Sequence, residues 1–438
     1  MNELPLHRPV NPKAPPATAD FALWNLGFRP FYLLASVFSA FSVLLWAAQI
    51  SGHFPSAYLQ GPVWHGHEML FGYTTAVIAG FLLTAVRAWT NEPTPSGFPL
   101  MALATLWVCG RVLVLTPFAM TAAVVNAAFP VAVAVAIGIP MLRSRNVRNY
   151  FFVALLVLMG VLILAVHLAL QGRFELSPRL GLQLALDVVL FIMVIMGGRV
   201  IPTFTNNGVS GANATRHALV EKFALGAVIL LFAADLLQLP QTVIAMITLI
   251  SALAHGVRLY LWKPWRTLAT PLVWILHAAY AWIVVHLALR GLFALELLAG
   301  SYATHALTVG AIGGLTLGMM TRTARGHTGR PLLADGFEIT VFLLIQVAAV
   351  VRVFGGIASP GLYVLSVQLS ALLWAVAFGL YAVRYWPVLT RPGWTASPDN
   401  RPESVCPRNG LSPDGLGLAQ DCACNSSSRS KIKRAKAG

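Results

Sequence analysis

The residues of this sequence with chemical potential are histidines and acids set inside long apolar runs. One run opens with Val63, Trp64, His65, Gly66, His67, Glu68 and Met69, which puts two imidazoles and a carboxyl within two helical turns. Imidazole ligates copper, iron and zinc, and haem iron is commonly held by histidine. Residues two apart on a helix differ by about 200°, so His65 and His67 face nearly opposite ways and a regular helix cannot offer both to one metal. They suit two separate centres, or one ligand and one hydrogen-bonding partner. His65 shares a face with Glu68 and Met69, which are placed to orient it.

A second run, Trp274 to Tyr280, carries His277 near its middle, with Tyr280 a turn away on the same face and His286 two to three turns beyond. A third, Tyr302 to Thr308, supplies His305 at the depth of His65 and His67. Gly310, Gly314 and Gly318 follow at four-residue intervals with Gly313 beside them. Such a bare face suits close helix packing or a flat macrocycle lying against it. Neutral imidazoles at 65, 67, 277 and 305 each need a metal or a polar partner at membrane depth. His167 and His286 stand near run ends, where an interfacial position accounts for them, and His7, His53 and His217 read as solvated. Glu68, Asp187 and Tyr280 are the candidate proton carriers, and Asp235 reads as an interfacial cap. Arg322, Arg325 and His327 form a basic cluster that suits an anion, haem propionates or ordinary surface charge.

The elements that must position these groups are membrane helices. Of 438 residues, 57% are hydrophobic and only 10% charged, which overrides the usual soluble-domain prior for this length. Runs of about 20 apolar residues cross a hydrocarbon core of about 30 Å. Twelve are expected, at approximately 28 to 51, 63 to 86, 97 to 116, 119 to 141, 150 to 171, 178 to 200, 217 to 238, 240 to 261, 268 to 289, 299 to 321, 335 to 356 and 360 to 384. The fold class is therefore all-α, a polytopic helical bundle. Its expected organisation is a segment over 1–27, a transmembrane domain over 28–385 and a disordered basic tail over 386–438. The first run is too long for a typical cleaved signal and is expected to be retained.

The net charge of +15 follows topology. With both termini cytoplasmic, only Arg111, Arg173, Arg179, Arg290 and Arg352 of the thirty Lys and Arg residues fall on the opposite side. That is the positive-inside pattern of a bacterial cytoplasmic (inner) membrane protein, and no nucleic-acid partner is needed to explain it. Cys109 lies in the third run and Cys406, Cys422 and Cys424 in the tail, so no disulfide framework is implied. No phosphate-binding loop or HExxH pattern is present.

Several stretches resemble the NnrS family: LGFRPFYLLA (26–35), WHGHEMLFGYTTAVIAGFLLTAV (64–86), RVIPTFT (199–205), TPLVWILHAAYAW (270–282) and HALTVGAIGGLTLGMMTRTARGHTGRPL (305–332). The sequence departs from the family in the loop Arg87, Ala88, Trp89, Thr90, Asn91. The resemblance implies a cytoplasmic-membrane protein containing haem and copper, linked to denitrification and nitric oxide tolerance. By motif match, His65, His67, His277, His305 and His327 are the carried-over candidates. The function expected is haem- and copper-dependent redox handling of nitric oxide or protection against nitrosative stress, with membrane lipid, a small diatomic ligand and an unidentified electron donor as partners. The alternatives are a proton-coupled secondary transporter, for which intramembrane acids and histidines would form a relay, and an assembly partner of a respiratory enzyme.

Overall fold

A computed structural model describes residues 21–50, 58–59, 61–298 and 301–393. Among them twelve helices follow one another: α1 (Phe28–Ile50), α2 (Gly61–Thr90), α3 (Phe98–Leu113), α4 (Ala119–Arg143), α5 (Phe151–Leu170), α6 (Pro178–Gly208), α7 (Ala218–Leu236), α8 (Gln241–Leu261), α9 (Pro271–Ala294), α10 (Tyr302–Gly326), α11 (Gly336–Ala358) and α12 (Tyr363–Thr390). No strand occurs among the described residues. Each expected run coincides with a helix, but ten rather than twelve are long and apolar enough to cross a membrane. The shortfall has a physical cause. Helix α3 has 16 residues, and α7 carries Glu221, Lys222 and Asp235. The last helix continues to Thr390, past the expected boundary at 385, and the tail from 394 onward lies outside the described residues.

Local signals set the helix ends. Pro178 and Pro271 open α6 and α9, where a missing N–H costs nothing. Asp335 caps α11 by accepting from Phe337 N at 2.8 Å, while Glu338 accepts from Asp335 N at 3.0 Å. Neighbouring helices in sequence pack together through much of the chain, as in α4 with α5, α8 with α9 and α11 with α12. Helix α1 instead packs on α12, and Arg29 donates to the carbonyls of Leu389 at 2.9 Å and Arg391 at 2.8 Å. A cation at those otherwise unpaired carbonyls favours the C-terminal end of α12.

Two helices are interrupted by π-helical stretches, Glu68–Thr74 in α2 and Ala306–Gly313 in α10. Each starts at the residue after a histidine, His67 or His305. A π turn holds more residues than an α turn and re-phases every side chain beyond it, and such segments are frequent at functional sites.

The glycine face of α10 is closely packed. A Cβ on Gly310 would collide with the Trp282 ring, one on Gly314 would lie 2.7 Å from Ala279, and one on Gly318 2.8 Å from Leu276. The bare face therefore receives α9, and a macrocycle does not lie along it.

Candidate functional site

A cavity of about 1000 Å³ lies among α2, α6, α9, α10 and α11. Its wall carries the histidines His65, His286 and His305 and the arginines Arg179, Arg290 and Arg352. His65 and His305, expected at a common depth, thus line one cavity. His286, which sequence position alone made an interfacial residue, joins them.

His286 Nδ1 lies 2.7 Å from the main-chain carbonyl of Ala303, and His305 Nδ1 lies 2.7 Å from that of Ser301. A carbonyl can only accept, so Nδ1 carries the hydrogen in both rings and Nε2 of each neutral ring holds a lone pair. His286 Nε2 is buried and has no partner. This is the arrangement by which a second-nitrogen hydrogen bond fixes the tautomer of a metal-binding histidine. His65 is held differently, stacked on Trp46 with ring centroids 4.9 Å apart, and its Nδ1 is likewise unpartnered.

The arginines differ in how far they are neutralised. Arg290 bridges Asp187, at 3.2 Å, and Asp235. Asp187 also accepts from Gln183 Nε2 at 3.0 Å, while its Oδ2 is buried without a partner. Asp235 is therefore part of a buried ion cluster and no mere interfacial cap. Arg352 donates to Ser301 Oγ at 3.2 Å, but its Nη1 is buried and unpaired. Arg352 Nη1, His286 Nε2 and His65 Nδ1 are thus three buried polar atoms without partners on residues of one cavity wall.

His67 belongs elsewhere. Its Nδ1 lies 2.7 Å from Glu68 Oε1, and its Nε2 lies 2.9 Å from His167 Nε2. Glu68 also accepts from Arg111 at 2.7 Å, Arg111 donates to Asn126, and Tyr58 reaches His167 Nδ1 at 3.1 Å. The opposed directions of His65 and His67 agree with helix geometry. The sequence-based pairing of Glu68 with His65 does not hold, because the Glu68 carboxyl is taken up by His67 and Arg111. His167 was legible only as a histidine near a helix end; its partner lies a hundred residues away.

His277 and Tyr280, a turn apart on α9, both lie against the Trp262 ring but have different hydrogen-bond partners. His277 Nε2 meets Thr205 Oγ1 at 2.8 Å. Tyr280 accepts from Arg258 at 2.7 Å and meets His255 Nδ1 at 2.7 Å, and Arg258 is held by both oxygens of Glu221. Neither His277 nor Tyr280 lines the large cavity. His255 gave no sequence signal beyond its type.

The basic cluster past α10 disperses in three dimensions. Arg322 lies over the Phe204 ring at 3.8 Å, Arg325 pairs with Glu338 at 2.9 Å, and exposed His327 sits 5.7 Å from the Phe28 ring. These side chains do not line the cavity, whose own arginines are Arg179, Arg290 and Arg352. Among the described residues no three His, Cys, Asp or Glu side chains converge to hold a metal ion. The sequence-predicted quartet of His65, His67, His277 and His305 is split among three surroundings.

Comparison with curated proteins finds no match. The family model described as NnrS protein matches residues 22–392, which takes in all twelve helices and every residue of the cavity wall. The chain therefore belongs to the NnrS family.

Proposed function

We propose that the protein is a haem-binding protein of the bacterial cytoplasmic membrane that handles nitric oxide, in a redox reaction or in protection against nitrosative stress. The supporting observation is the pair His286 and His305, whose Nδ1–H groups are tied to main-chain carbonyls so that Nε2 is left as a donor to iron. The wall also fits in size and charge. About 1000 Å³ is at the upper end of ligand cavities, and the unpaired Arg352 Nη1 offers a counter-charge to a carboxylate. Bound haem would supply reversible binding of a diatomic ligand and one-electron transfer.

The chain's own residues then have definite tasks. His286 and His305 present imidazole nitrogens, Arg352 and Arg179 receive anionic edges, and the Arg290–Asp187–Asp235 cluster holds two carboxylates where a proton can be kept at Asp187 Oδ2. Glu68 and Tyr280 act outside the cavity wall, in the His167 and His255 networks respectively. For copper the fit is weaker, since no three-ligand group is present among the described residues. The two-imidazole pair of His67 and His167 does not fit it either, because all four of its ring nitrogens already meet Glu68, Tyr58 or each other.

The test is an absorption spectrum and copper analysis of protein purified from haem-replete cells. A Soret band that is lost in His286→Ala and His305→Ala and retained in His277→Ala is expected. Absence of both a Soret band and copper would sink the reading.

A further inference from the structure

A second, much smaller chamber of about 110 Å³ adjoins the histidine cavity. Thr74 and Ile312 form part of both walls, and each lies in one of the two π-helical stretches. The chamber's other walls are hydrocarbon and thioether, among them Val77, Val189, Leu276 and Met319. Three polar residues reach it. Thr74 donates to Met69 O at 2.8 Å, and Thr316 to Ile312 O at 2.7 Å, so both hydroxyls are already engaged within their own helices. The Tyr32 hydroxyl is the remaining one, buried beside the Thr323 side chain.

One O–H is too little to hold water, which needs about two to four polar partners in a buried site. The space is also too small for a large ligand. It is below the volume of roughly 150 Å³ at which an engineered apolar cavity stays dry and takes benzene or xenon. Along α2 and α6 the chamber is bounded by Ile78, Phe81, Met193 and Met196, all only half-buried. Both helices are long and apolar enough to span a membrane, which makes that partly exposed side the one open to lipid. Small apolar gases dissolve better in hydrocarbon than in water, so they arrive from the bilayer.

We propose that this chamber is a binding site for a small apolar gas molecule, taken from the lipid between α2 and α6 and passed to the histidine cavity past Thr74 and Ile312. The identity of the gas as nitric oxide rests on the proposed function, but the site itself does not. Xenon is a probe of such a site that needs no bound haem. Crystals of the full-length protein under xenon pressure are expected to show one xenon in the chamber by anomalous scattering, and Val189→Phe to lose it. Val77→Phe fills the same space from the opposite helix and serves if the first variant fails to fold. No xenon in the wild-type chamber, or an ordered water, detergent tail or lipid chain there in its place, overturns the proposal. Absence of xenon beside an intact Soret band would reject the chamber and keep the haem reading. Xenon in a protein without haem would do the reverse.

Discussion

Replacing Arg111 by methionine tests the electrostatic reasoning most directly. Glu68 is 1% exposed and Arg111 9% exposed, and they meet at 2.7 Å. Glu68 Oε1 also takes the His67 Nδ1 contact at 2.7 Å. Arg111→Met keeps most of the side-chain volume but leaves a buried carboxylate with no cation beside it. Breaking one side of a buried pair typically costs about 3 to 5 kcal/mol, because the surviving charge has no solvent. Glu68→Gln alone strands the guanidinium and should cost a similar amount. The double variant leaves no buried charge, and the amide oxygen introduced by Glu68→Gln can still accept from His67; its remaining loss is the Arg111 donation to Asn126 Oδ1, so it is expected within about 1 to 3 kcal/mol of wild type. With single costs of about 3 to 5 kcal/mol each, the coupling in the double-mutant cycle is then at least about 3 kcal/mol, and favourable. Reversible unfolding in mixed micelles measures all four proteins. Gly72→Ala gives an independent check, since its Cβ would stand 2.5 Å from Arg111 Nη1 and displace the guanidinium. Single variants costing under ~1 kcal/mol, the range of an exposed pair, or strictly additive costs in the double variant, would refute the argument.

Three further outcomes are expected. Gly310→Ala forces a Cβ against Trp282 and should cost about 1 to 3 kcal/mol, whereas Gly226→Ala, which meets nothing within 4 Å, should be neutral or slightly stabilising in the same unfolding assay. Thr205→Val removes the one hydrogen bond of His277 Nε2 and should destabilise by roughly 1 kcal/mol, with no effect on any Soret band, since His277 lies off the cavity. Hydrogen bonding to Glu338, then to the Phe337 and Glu338 amides, holds the Asp335 carboxyl down at about 2. A folded value depressed below the unfolded one means that the cap of α11 is fully stabilising above about pH 4 and is lost as pH falls toward about 2. Hydrogen exchange at Phe337 and Glu338, corrected for intrinsic rates, should show protection falling over that window, and Asp335→Ala should abolish the dependence.

Apolar runs separated by charged or Pro-containing turns specify helices wherever they occur, because in hydrocarbon the backbone must satisfy its own hydrogen bonds. That is why the twelve helical segments were legible, although α6 runs on to Gly208 and α12 to Thr390, past the ends expected at 200 and 384, and why Asp335 and Glu338 mark the start of α11. Helix periodicity likewise decided that His65 and His67 point apart. What it could not supply is the partner of either one. His67 finds His167 on α5, His286 finds the Ala303 carbonyl on α10, and His277 finds Thr205 on α6, each across a loop and at least one helix contact that no local spacing encodes. The two π stretches are a further tertiary decision. Glu68, at the start of the first, is held by Arg111 of α3 and by His67 rather than by His65. The glycines of α10 illustrate the same division: their four-residue spacing determined that something would pack closely, and only the position of Trp282, Ala279 and Leu276 on α9 decided that it was a neighbouring helix.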